Sequence, residues 1–362
     1  MKILHVYKTY YPETLGGIES FITALMADLR KKSIESDLVV TTTGKQRIEN
    51  NTFYFPATVT MASTPVSIAY LKNFKKLASQ YDVLHYHFPW PFADLTHLLT
   101  RIKKPSILTY HSDIIKQKYL NYCYAPLMHA FLKRMHCIVA TSPNYVKTSP
   151  VLQRYQNKVA VVPFGMSRTQ FPVPDETELS HWREKVGDQF FLFVGVLRYY
   201  KGLDYLLTAL ENTNIPLVIA GTGPEERRLK LLAQQKKLSH VHFVGYVDDH
   251  AKAALYQLCK AVVSPSHLRS EAFCLSLLEG LVFEKPLIST DIGTGTSFVN
   301  KEGVTGRVVP PANPMALREA MMQLQKNNSC FQSSSRQYYE AHFLMETMVA
   351  RYVALYQDCL RD

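Results

Sequence analysis

The sequence predicts an α/β fold made of two successive Rossmann-like domains. Short runs rich in β-branched and aromatic residues alternate with helical stretches from residue 2 to residue 309. Such alternation is typical of parallel sheets whose two faces are covered by helices. A chain of 362 residues is long for one hydrophobic core, and proline and glycine interrupt the pattern near residues 164–180. Two domains joined by a linker at this interruption are therefore expected.

Twelve short segments are predicted to be strands. The six before the linker are 2–7, 36–42, 82–87, 106–110, 137–141 and 158–162. The six after it are 190–196, 217–220, 241–244, 261–264, 286–290 and 306–309. Helices are predicted between them, for example at 19–32 and 203–211.

Composition is that of a globular protein. Hydrophobic residues make up 47% of the chain, and no run approaches the roughly 18 apolar residues that a spanning helix needs. The N-terminus predicts a strand rather than a signal peptide, because charge and tyrosines follow at once. Six cysteines form no CxxC pair, which argues against a zinc site or a disulfide framework and favours the reducing cytoplasm.

Positive charge is distributed unevenly along the chain. Residues 1–172 hold 21 Lys and Arg against 9 Asp and Glu, whereas residues 173–362 hold 20 against 21. This asymmetry predicts a negatively charged partner. An anionic membrane surface fits better than nucleic acid, because no helix-turn-helix, zinc-finger or RNP-type pattern is present. A merely solvated basic surface is the alternative.

The segment from Glu271 to Glu279 is the most informative one for function. A helix that begins near Phe273 leaves Glu271 in the preceding loop and Glu279 about two turns on. The free N–H groups of Phe273, Cys274 and Leu275 would attract a phosphate or a sugar oxygen. A carboxylate suits paired sugar hydroxyls, because it accepts through two oxygens. An ordinary amphipathic helix with an acid in its first turn is the alternative.

Glycine-rich turns follow several predicted strands. Gly16 and Gly17 precede the first helix, where the backbone can approach a phosphate because no Cβ intervenes. The three-glycine fingerprint of dinucleotide-binding proteins is missing, which counts against a dehydrogenase, and a plain turn is the alternative. Gly221 follows a later strand in the same way. Lys201 follows the strand at 190–196 and is placed to neutralise phosphate charge.

Polar side chains also end two strands of the first half. His111 and Asp113 follow the fourth predicted strand, and His85 and His87 lie at the end of the third. Because parallel sheets place their ligands at the carboxyl ends of strands, these four are candidate site residues. The histidines at i and i+2 share one face and could bind a metal, but the sequence shows no third ligand. Contact with an acceptor, or packing, is preferred for this pair.

Together these motifs resemble the retaining glycosyltransferases of family 4, which have the GT-B fold. The resemblance covers nearly the whole chain and rests on residues 16–19, 194–202, 221–224, 244–245, 271–279 and 305–310. It implies two Rossmann-like domains whose parallel sheets face each other across a cleft. Residues 1–170 would bind the acceptor and residues 171–340 the nucleotide-sugar donor. A last helix, 341–362, would pack back on the first domain.

The resemblance also implies roles for individual residues. The expected catalytic residues are His111, Glu271, Lys201 and Arg198. The expected donor-binding residues are Gly16, Gly17, Lys201, Arg198, Gly221, Val244, Gly245, Glu271, Ala272, Phe273, Cys274, Leu275 and Glu279. The expected acceptor residues are His85, His87 and Asp113. The family has an arginine where this chain has Val196, so Arg198 either takes over the diphosphate contact or only holds the loop.

Within the family, residues 7–12, 87–91 and 111–113 resemble bacterial mannosyltransferases of O-antigen and polymannan assembly. This likeness implies transfer of mannose from GDP-mannose to a lipid-linked saccharide, at the inner face of the cytoplasmic membrane. It implies no metal or other cofactor and no nucleic acid partner. UDP-glucose or UDP-N-acetylglucosamine is the alternative donor. A nucleotide-sugar-binding protein without transferase activity, and an epimerase or phosphorylase on the same scaffold, stay open as different functions.

Overall fold

The structure is a computed structural model that describes residues 1–14, 16–61, 64–114, 118–326 and 331–361. The chain forms two compact units. The first comprises Met1–Phe164 and Glu346–Asp362, and the second comprises Gly165–Met345. These boundaries lie within a few residues of the expected division after 170 and after 340. Residue 362, the last of the expected terminal helix, lies outside the described residues.

The first unit is built on an eight-stranded sheet with strand order β10-β9-β8-β7-β1-β2-β4-β3. Its strands are β1 (Lys2–Val6), β2 (Glu35–Thr42), β3 (Arg47–Glu49), β4 (Thr52–Pro56), β7 (Val83–Phe88), β8 (Ser106–Tyr110), β9 (Cys137–Ala140) and β10 (Val159–Val161), and a separate pair is formed by β5 (Val59–Met61) and β6 (Thr64–Val66). Its helices are α1 (Gly17–Lys31), α2 (Ile68–Ala78), α3 (Pro91–Thr100), α4 (Lys118–Arg134), α5 (Pro143–Thr148) and α6 (Pro150–Arg154).

The centre of this sheet is covered on both faces. Every residue of β7 and of β8 is buried, as expected for parallel strands between two helical layers. Helix α1 shows why helices cover the sheet. Its buried side chains, Phe21, Ile22, Leu25, Met26 and Leu29, recur at helical spacing and form one apolar stripe. Only β3 runs antiparallel to its neighbour within the sheet, in a hairpin with β4.

The second unit is built on a six-stranded parallel sheet with strand order β13-β12-β11-β14-β15-β16. Its strands are β11 (Phe191–Val194), β12 (Leu217–Ala220), β13 (Val241–Gly245), β14 (Ala261–Ser264), β15 (Leu287–Thr290) and β16 (Gly306–Val309). Its helices are α7 (Glu176–Val186), α8 (Leu203–Ala209), α9 (Glu226–Gln235), α10 (Asp249–Leu258), α11 (Leu275–Val282), α12 (Thr296–Val299), α13 (Pro314–Lys326) and α14 (Gln332–His342). Helix α15 (Met345–Arg361) follows and lies in the first unit apart from its first residue.

The sequence predicts one last helix over residues 341–362, and its start is wrong, because the structure ends α14 at His342 and begins α15 at Met345. Phe343 leaves the helical conformation, with φ −129° and ψ 17°, and its side chain is fully buried. The backbone N–H of Met166 donates to the Phe343 carbonyl at 2.9 Å, and Leu344 pairs with Met166 in a β-bridge. This pairing with a distant segment replaces the hydrogen bonds of a continuous helix.

Two other sequence expectations concern the whole chain. All five cysteines in the described ranges are free thiols, and the sixth, Cys330, falls outside those ranges. Within the described part of the chain, no helix combines the length and apolar character needed to cross a bilayer.

Candidate active site

The loops at the carboxyl edge of the second sheet are tied together by close backbone contacts. After β11 the chain forms a short 3-10 helix, Tyr199–Lys201, and then Gly202 takes a left-handed conformation with φ 71° and ψ 20°. A Cβ at Gly202 would lie 2.0 Å from the carbonyl oxygen of Pro265, so only glycine fits there. The backbone N–H of His267 donates to the Tyr200 carbonyl at 3.0 Å. The loop that carries Lys201 therefore rests on the loop that follows β14.

Lys201 and Glu271 form an ion pair in this corner. The Lys201 Nζ donates to Glu271 Oε2, and the two side chains are 12% and 11% exposed. The Ser266 hydroxyl lies 3.3 Å from the same carboxylate oxygen and donates to it. Burial acts to lower the pKa of Lys201, but the charge of Glu271, its hydrogen bond and the nearby Cys274 and Tyr200 together raise that pKa above its ordinary value. Lys201 is therefore a fixed cation at neutral pH.

Hydroxyl groups and the backbone hold the loop between Glu271 and α11. The Thr294 hydroxyl donates to the Glu271 carbonyl at 2.7 Å, and the Gly295 N–H donates to the Ala272 carbonyl at 2.7 Å. Cys274 has φ 70°, a left-handed conformation that is uncommon outside glycine. Its Sγ donates to the Ser264 hydroxyl at 3.1 Å, which helps to keep it in place.

This conformation changes the expected start of the helix. The expectation of a helix from about Phe273 is wrong, because Cys274 is the N-cap and α11 begins at Leu275. Phe273 is buried, with 3% exposure. The N–H groups of the first helical turn thus begin at Leu275, and those of Phe273 and Cys274 belong to the preceding loop. Glu271 lies before the helix and Glu279 lies within it, as the sequence predicts.

Glu279 has its own partners, both on α10. The Tyr256 hydroxyl donates to Glu279 Oε2 at 2.6 Å, and the Lys252 Nζ lies 3.5 Å from Glu279 Oε1. Burial acts to lower the pKa of Lys252, but Glu279 and Asp249 together raise it above its ordinary value. The side chain of Glu279 is 14% exposed. Sequence reasoning missed Lys252 and Tyr256, because nothing local marks them as partners of a residue more than twenty positions away.

Three glycine turns bring the other strand ends together. The Gly195 N–H donates to the Ala220 carbonyl at 3.0 Å, and the Gly221 N–H donates to the Gly245 carbonyl at 2.7 Å. Gly221 has φ 133°, and a Cβ there would lie 2.1 Å from the Gly195 carbonyl oxygen. Close packing of loops thus accounts for Gly221 by itself. Arg198 is exposed at the start of the 3-10 helix, while Val244 and Gly245 end β13.

In the first unit the glycine turn opens α1. Gly16 caps this helix in an extended conformation, and Gly17 is its first residue. A Cβ at Gly16 would lie 2.8 Å from Glu19 Oε2, so the Glu19 side chain folds back over the turn. Glu19 is 6% exposed, which places a buried carboxylate at the start of α1.

Four histidines line the interior of the first unit. His5 on β1 lies opposite His85 on β7, and His87 and His111 continue along the neighbouring strand ends. The His5 Nδ1 lies 3.0 Å from His87 Nε2, and His87 Nδ1 lies 3.0 Å from His111 Nε2. The rings of His85 and His87 lie on one face, 4.4 Å apart, as their spacing predicts. None of the four is more than 4% exposed.

This burial corrects the expectation that His85 and His87 contact an acceptor. His85 is 0% exposed, and its two ring nitrogens bond with the hydroxyls of Tyr356 at 2.8 Å and Thr109 at 2.7 Å. His87 is 1% exposed, with one histidine on each side. The geometry fits a packing role for the pair instead. Sequence reasoning missed His5, which lies on the first strand and joins the group only through the sheet.

Asp113 is held by three polar groups. Its Oδ1 accepts hydrogen bonds from the hydroxyls of Tyr110 at 2.9 Å and Ser149 at 2.8 Å, and its N–H donates to the Tyr145 hydroxyl at 2.6 Å. This fixes the backbone just after His111, two residues beyond the carboxyl end of β8.

A cavity of about 420 Å³ in the second unit lies away from these residues. Its lining includes Arg168, Phe283 and Tyr339, near the C-terminal end of α11. No residue of the predicted site lines it, so the candidate site is defined by converging side chains and strand ends rather than by this cavity.

Comparison with known proteins identifies the family of this chain. The profile of the family described as "Glycosyltransferase Family 4" matches residues 15–170, and that of "Glycosyl transferases group 1" matches residues 175–342. O-antigen chain mannosyltransferase C of Escherichia coli is 46% identical over 370 residues, covering 100% of both chains. D-rhamnosyltransferase WbpZ of Pseudomonas aeruginosa is 47% identical over 338 residues, covering 90% of this chain and 86% of that protein.

Among solved structures, sucrose-phosphate synthase from Thermosynechococcus elongatus superposes with a TM-score of 0.83 at 20% identity, over 99% of this chain and 98% of its own. At that identity the likeness concerns the fold. The two relatives above cover the chain at an identity that shows common family membership. The chain therefore belongs to glycosyltransferase family 4 and has the GT-B fold.

Proposed function

We propose that this glycosyltransferase transfers a manno-configured hexose, best represented by mannose from GDP-mannose, to a lipid-linked saccharide in O-antigen synthesis, with retention of anomeric configuration. The observation that carries the proposal is the pair of acids Glu271 and Glu279, each beside a lysine that is at most 20% exposed, at the carboxyl edge of the second sheet. Both relatives that span the chain are named for manno-configured sugars, since D-rhamnose is 6-deoxy-D-mannose.

The second unit is proposed to bind the donor. Glu279 would accept hydrogen bonds from the two ribose hydroxyls, because Tyr256 uses one of its oxygens and leaves lone pairs on both. Glu271 and the start of α11 would position the hexose. The backbone near Val244 and Gly245 would lie against the base. A backbone contact does not choose between bases, so the guanine of the donor is inferred from the relatives.

Lys201 is proposed to stabilise the leaving diphosphate. Its ammonium has three N–H groups, and one of them donates to Glu271. A cation already fixed in a poorly solvated corner needs little reorganisation as charge develops on the diphosphate. The exposed Arg198 would add a second positive charge from the same loop. Gly16 and Gly17 would let a phosphate approach the start of α1.

The first unit is proposed to bind the acceptor near the carboxyl ends of β7 and β8. Asp113 would face the acceptor from its fixed loop, and His111 would contact the transferred sugar. We assign His85 and His87 no direct contact, because both are buried among other side chains. An acceptor on a lipid carrier would bring the enzyme to a membrane surface, and the basic first unit suits an anionic one.

Donor choice is tested by screening GDP-mannose, GDP-D-rhamnose, UDP-glucose and UDP-N-acetylglucosamine against a lipid-linked saccharide extract from cells that lack this enzyme. The expected product gains the mass of one hexose from GDP-mannose, and NMR shows an α-linkage, retained from the donor. A preferred mass gain from GDP-D-rhamnose would assign the sugar of the second relative. Tight nucleotide binding without a product from any donor would identify a binding protein and contradict the proposal.

Transfer is also proposed to be independent of divalent metal. Lys201 and the helix starts would supply the positive charge that a cation supplies in other phosphate sites. We expect an excess of EDTA to leave the rate of transfer within about twofold of the untreated rate, well below one tenfold step in barrier. Inactivation by EDTA that manganese or magnesium reverses would contradict this proposal.

A further inference from the structure

We propose that His5, His87 and His111 form one hydrogen-bonded chain that carries a single tautomer, with the proton on Nδ1 of each ring. His87 and His5 would then be positioning residues that present the His111 Nδ1–H as a donor to an oxygen of the bound sugar. The role in transfer rests on the proposed function, whereas the tautomer pattern is a property of the ligand-free protein. No contact with substrate is assigned to His87 or His5.

The chain runs across three adjacent strands of the first sheet. Its two bonds, His5 Nδ1 to His87 Nε2 and His87 Nδ1 to His111 Nε2, are both 3.0 Å long. The rings of His5 and His87 are nearly parallel, with an interplanar angle of 17° and centroids 5.3 Å apart, and those of His87 and His111 form an angle of 24° at the same separation. The three residues are 0%, 1% and 4% exposed.

All three rings are neutral around pH 7. Burial lowers the pKa of His5 and of His111 to about 3, and it lowers the pKa of His87 well below its ordinary value. A neutral imidazole carries one N–H and one acceptor nitrogen. If His5 donates from Nδ1, then His87 Nε2 accepts, so its proton is on Nδ1 and His111 must accept at Nε2. If His5 accepts at Nδ1, the same reasoning puts every proton on Nε2.

Two neutral states therefore satisfy both hydrogen bonds, and in each the three rings share one tautomer. The states differ in the nitrogen atoms at the two ends, His5 Nε2 and His111 Nδ1. Both end atoms are buried, and neither has a hydrogen-bond partner among the residues that the structure describes. One end must carry an unbonded N–H and the other an unbonded lone pair.

The cost of the unbonded N–H selects the state. A buried N–H without a partner is rarer in proteins than an under-satisfied acceptor. At His5 that N–H would be sealed inside the sheet, since the residue is 0% exposed and lies within β1, between β7 and β2. At His111 it lies just beyond the carboxyl end of β8, the edge at which parallel sheets receive ligands. The state with Nδ1–H on each ring puts the unused donor where a ligand can accept from it.

A metal ion is the competing explanation for clustered histidines. One nitrogen from each of His5, His85 and His87 lies within 4.8 Å of the others, which suggests a three-histidine site. However, both nitrogens of His85 already bond with hydroxyls, and His5 and His87 bond with each other. An ion would have to break these bonds. The hydrogen-bonded chain uses the nitrogens as they stand.

The test is to assign histidine tautomers by long-range ¹H–¹⁵N correlation NMR on the ligand-free protein with ¹⁵N-labelled histidine, at neutral pH. We expect His5, His87 and His111 all to carry the proton on Nδ1. If the three rings carry their protons on different nitrogens, the proposed hydrogen-bonded chain is wrong. If all three carry the proton on Nε2, the proposed donor role of His111 is wrong. A stoichiometric shift of the His85 signals on adding zinc would establish the metal site instead.

Two variants test whether the hydrogen-bonded histidines fix the tautomer of His111. His87→Phe removes both bonds, and His97→Phe is the matched control, because His97 is a buried ring bonded to Tyr86 outside the chain. We expect His87→Phe to change the His111 tautomer signals and to lower kcat about tenfold, with a smaller change in donor KM. His97→Phe should leave the His111 signals unchanged. Unchanged His111 signals and kcat in a folded His87→Phe variant would overturn the proposal.

If His87→Phe does not fold, His87→Gln replaces it. The amide keeps one donor and one acceptor, so we expect His111 to retain Nδ1–H and kcat to stay within about threefold of wild type, well under a tenfold step. A switch of His111 to Nε2–H in this variant would contradict the proposed direction. The predicted tautomers in a protein that transfers no sugar would count against the proposed function alone. Mixed tautomers in an active enzyme would count against the chain alone.

Discussion

Glu271 and Glu279 each have a largely buried lysine beside them, but the structural elements that carry the two acids differ. Glu271 lies in the loop before α11 and forms an ion pair with Lys201, which lies after β11. Glu279 lies inside α11 and bonds with Lys252 and Tyr256 on α10. A carboxylate on a helix keeps its position through a reaction cycle, whereas one in a loop beside a cation can respond to charge that forms on a leaving group. Different kinetic effects follow from this difference.

We expect Glu279→Gln to raise the donor KM and the nucleotide Kd at least about tenfold with little change in kcat, since a ribose contact persists throughout the reaction. Glu271→Gln should lower kcat at least about tenfold, because a bond to a charged group contributes about 1.5–3 kcal/mol. Steady-state kinetics and calorimetry measure these effects. Glu176→Gln, in an exposed carboxylate of the same unit, is the control. The same loss of kcat in both variants would contradict the division of roles.

Asp94 makes stability depend on pH in a direction unusual for an acid. It is fully buried in the first turn of α3 and accepts a hydrogen bond from Tyr124. Burial raises the pKa of Asp94 to about 8, although the bond from Tyr124 acts to lower it. The folded protein therefore keeps a proton that the unfolded chain, with a pKa of about 3.9, releases. The resulting stability is complete below about pH 4 and is lost as pH rises through about 8.

We expect the free energy of unfolding of Asp94→Asn, minus that of wild type, to increase by up to about 1.4 kcal/mol for each pH unit between about 5 and 8. Urea titrations at several pH values measure it. Taking the difference removes the contribution of the buried histidines, whose lowered pKa values make stability rise with pH up to about 6.5. Asp358→Asn, at an exposed carboxylate, should show no such slope. A flat difference for Asp94→Asn would mean that this carboxyl is ionised in the fold.

At the scale of elements, the site depends on how the loop after β11 meets the loop after β14. Gly202 allows that contact, since its backbone is left-handed and its Cα faces the Pro265 carbonyl. Gly303 is a useful comparison, because it has a similar φ of 73° but no atom within 4 Å of the position that a Cβ would take. An alanine at the comparison glycine incurs only the cost of a positive φ, whereas an alanine at Gly202 incurs that cost and also a collision of its Cβ with the Pro265 carbonyl oxygen.

We expect Gly303→Ala to lower the free energy of unfolding by about 1 kcal/mol, the cost of an alanine at positive φ. Gly202→Ala should cost at least about 1 kcal/mol more and should also lower kcat, since the loop that carries Lys201 must move away from Glu271. Denaturant unfolding and transfer assays measure both effects. Equal stability losses in the two variants, with wild-type kcat in Gly202→Ala, would show that the loop contact does not position Lys201.

The strands of both sheets were predictable from sequence because their signal is local. All twelve predicted segments coincide with strands, since buried parallel strands form apolar runs with polar ends. Strands β3 to β6 were not predicted, because they lie in one stretch without a clear pattern, in which β3 and β5 are largely exposed and form no buried apolar run. The end of α14 at Phe343 depends on pairing with Met166, and no local residue announces that pairing.

The candidate site divides in the same way. The two acids and the glycine turns have fixed spacing in the sequence and were predicted. The partners Lys252 and Tyr256 and the fourth histidine, His5, come from distant segments that only the folded sheets bring together. The left-handed conformation of Cys274 is likewise accompanied by contact with Ser264, which lies ten residues earlier. Spacing within one helix or turn is therefore visible in a sequence, whereas partners that join separate elements require the tertiary structure.

At the scale of the whole molecule, the net positive charge is concentrated in the first half of the chain. Helix α2 gives this charge a defined surface: Tyr70, Phe74 and Leu77 are buried, while Lys72, Lys75 and Lys76 are exposed. Phe74 lies between these lysines in the sequence, but it is 0% exposed and belongs to the core. Exposed apolar side chains do lie nearby. Ile68 is the first residue of α2, and its N–H donates to the Thr58 hydroxyl, which places the start of α2 beside β5.

Binding to anionic membranes is the prediction that follows from this surface. Ile68, Val59 and Met61 are 50%, 49% and 66% exposed, and their apolar side chains would enter the interface beside the lysines. Each well-placed lysine contributes about 1 kcal/mol near an anionic surface, so replacing the three lysines of α2 with glutamine should weaken binding at least about tenfold. Glutamine is preferred to glutamate, because an acid near the C-terminal end of α2 would also destabilise the helix.

Co-sedimentation with phosphatidylglycerol vesicles at low and high salt measures this binding, with phosphatidylcholine vesicles for comparison. Wild-type protein should bind phosphatidylglycerol at low salt and lose most of that binding at 1 M salt, where the screening length falls to about 3 Å.

The matched control replaces the exposed Lys185, Lys301 and Lys326 of the second unit with glutamine, which removes the same charge from the other unit. That control should bind like wild type, because the attraction depends on where the charge lies. Equal weakening in both triple variants would mean that net charge alone drives binding, and salt-insensitive binding would mean that apolar contacts dominate. Absence of binding at any ionic strength would leave the lysines of α2 as ordinary solvated side chains.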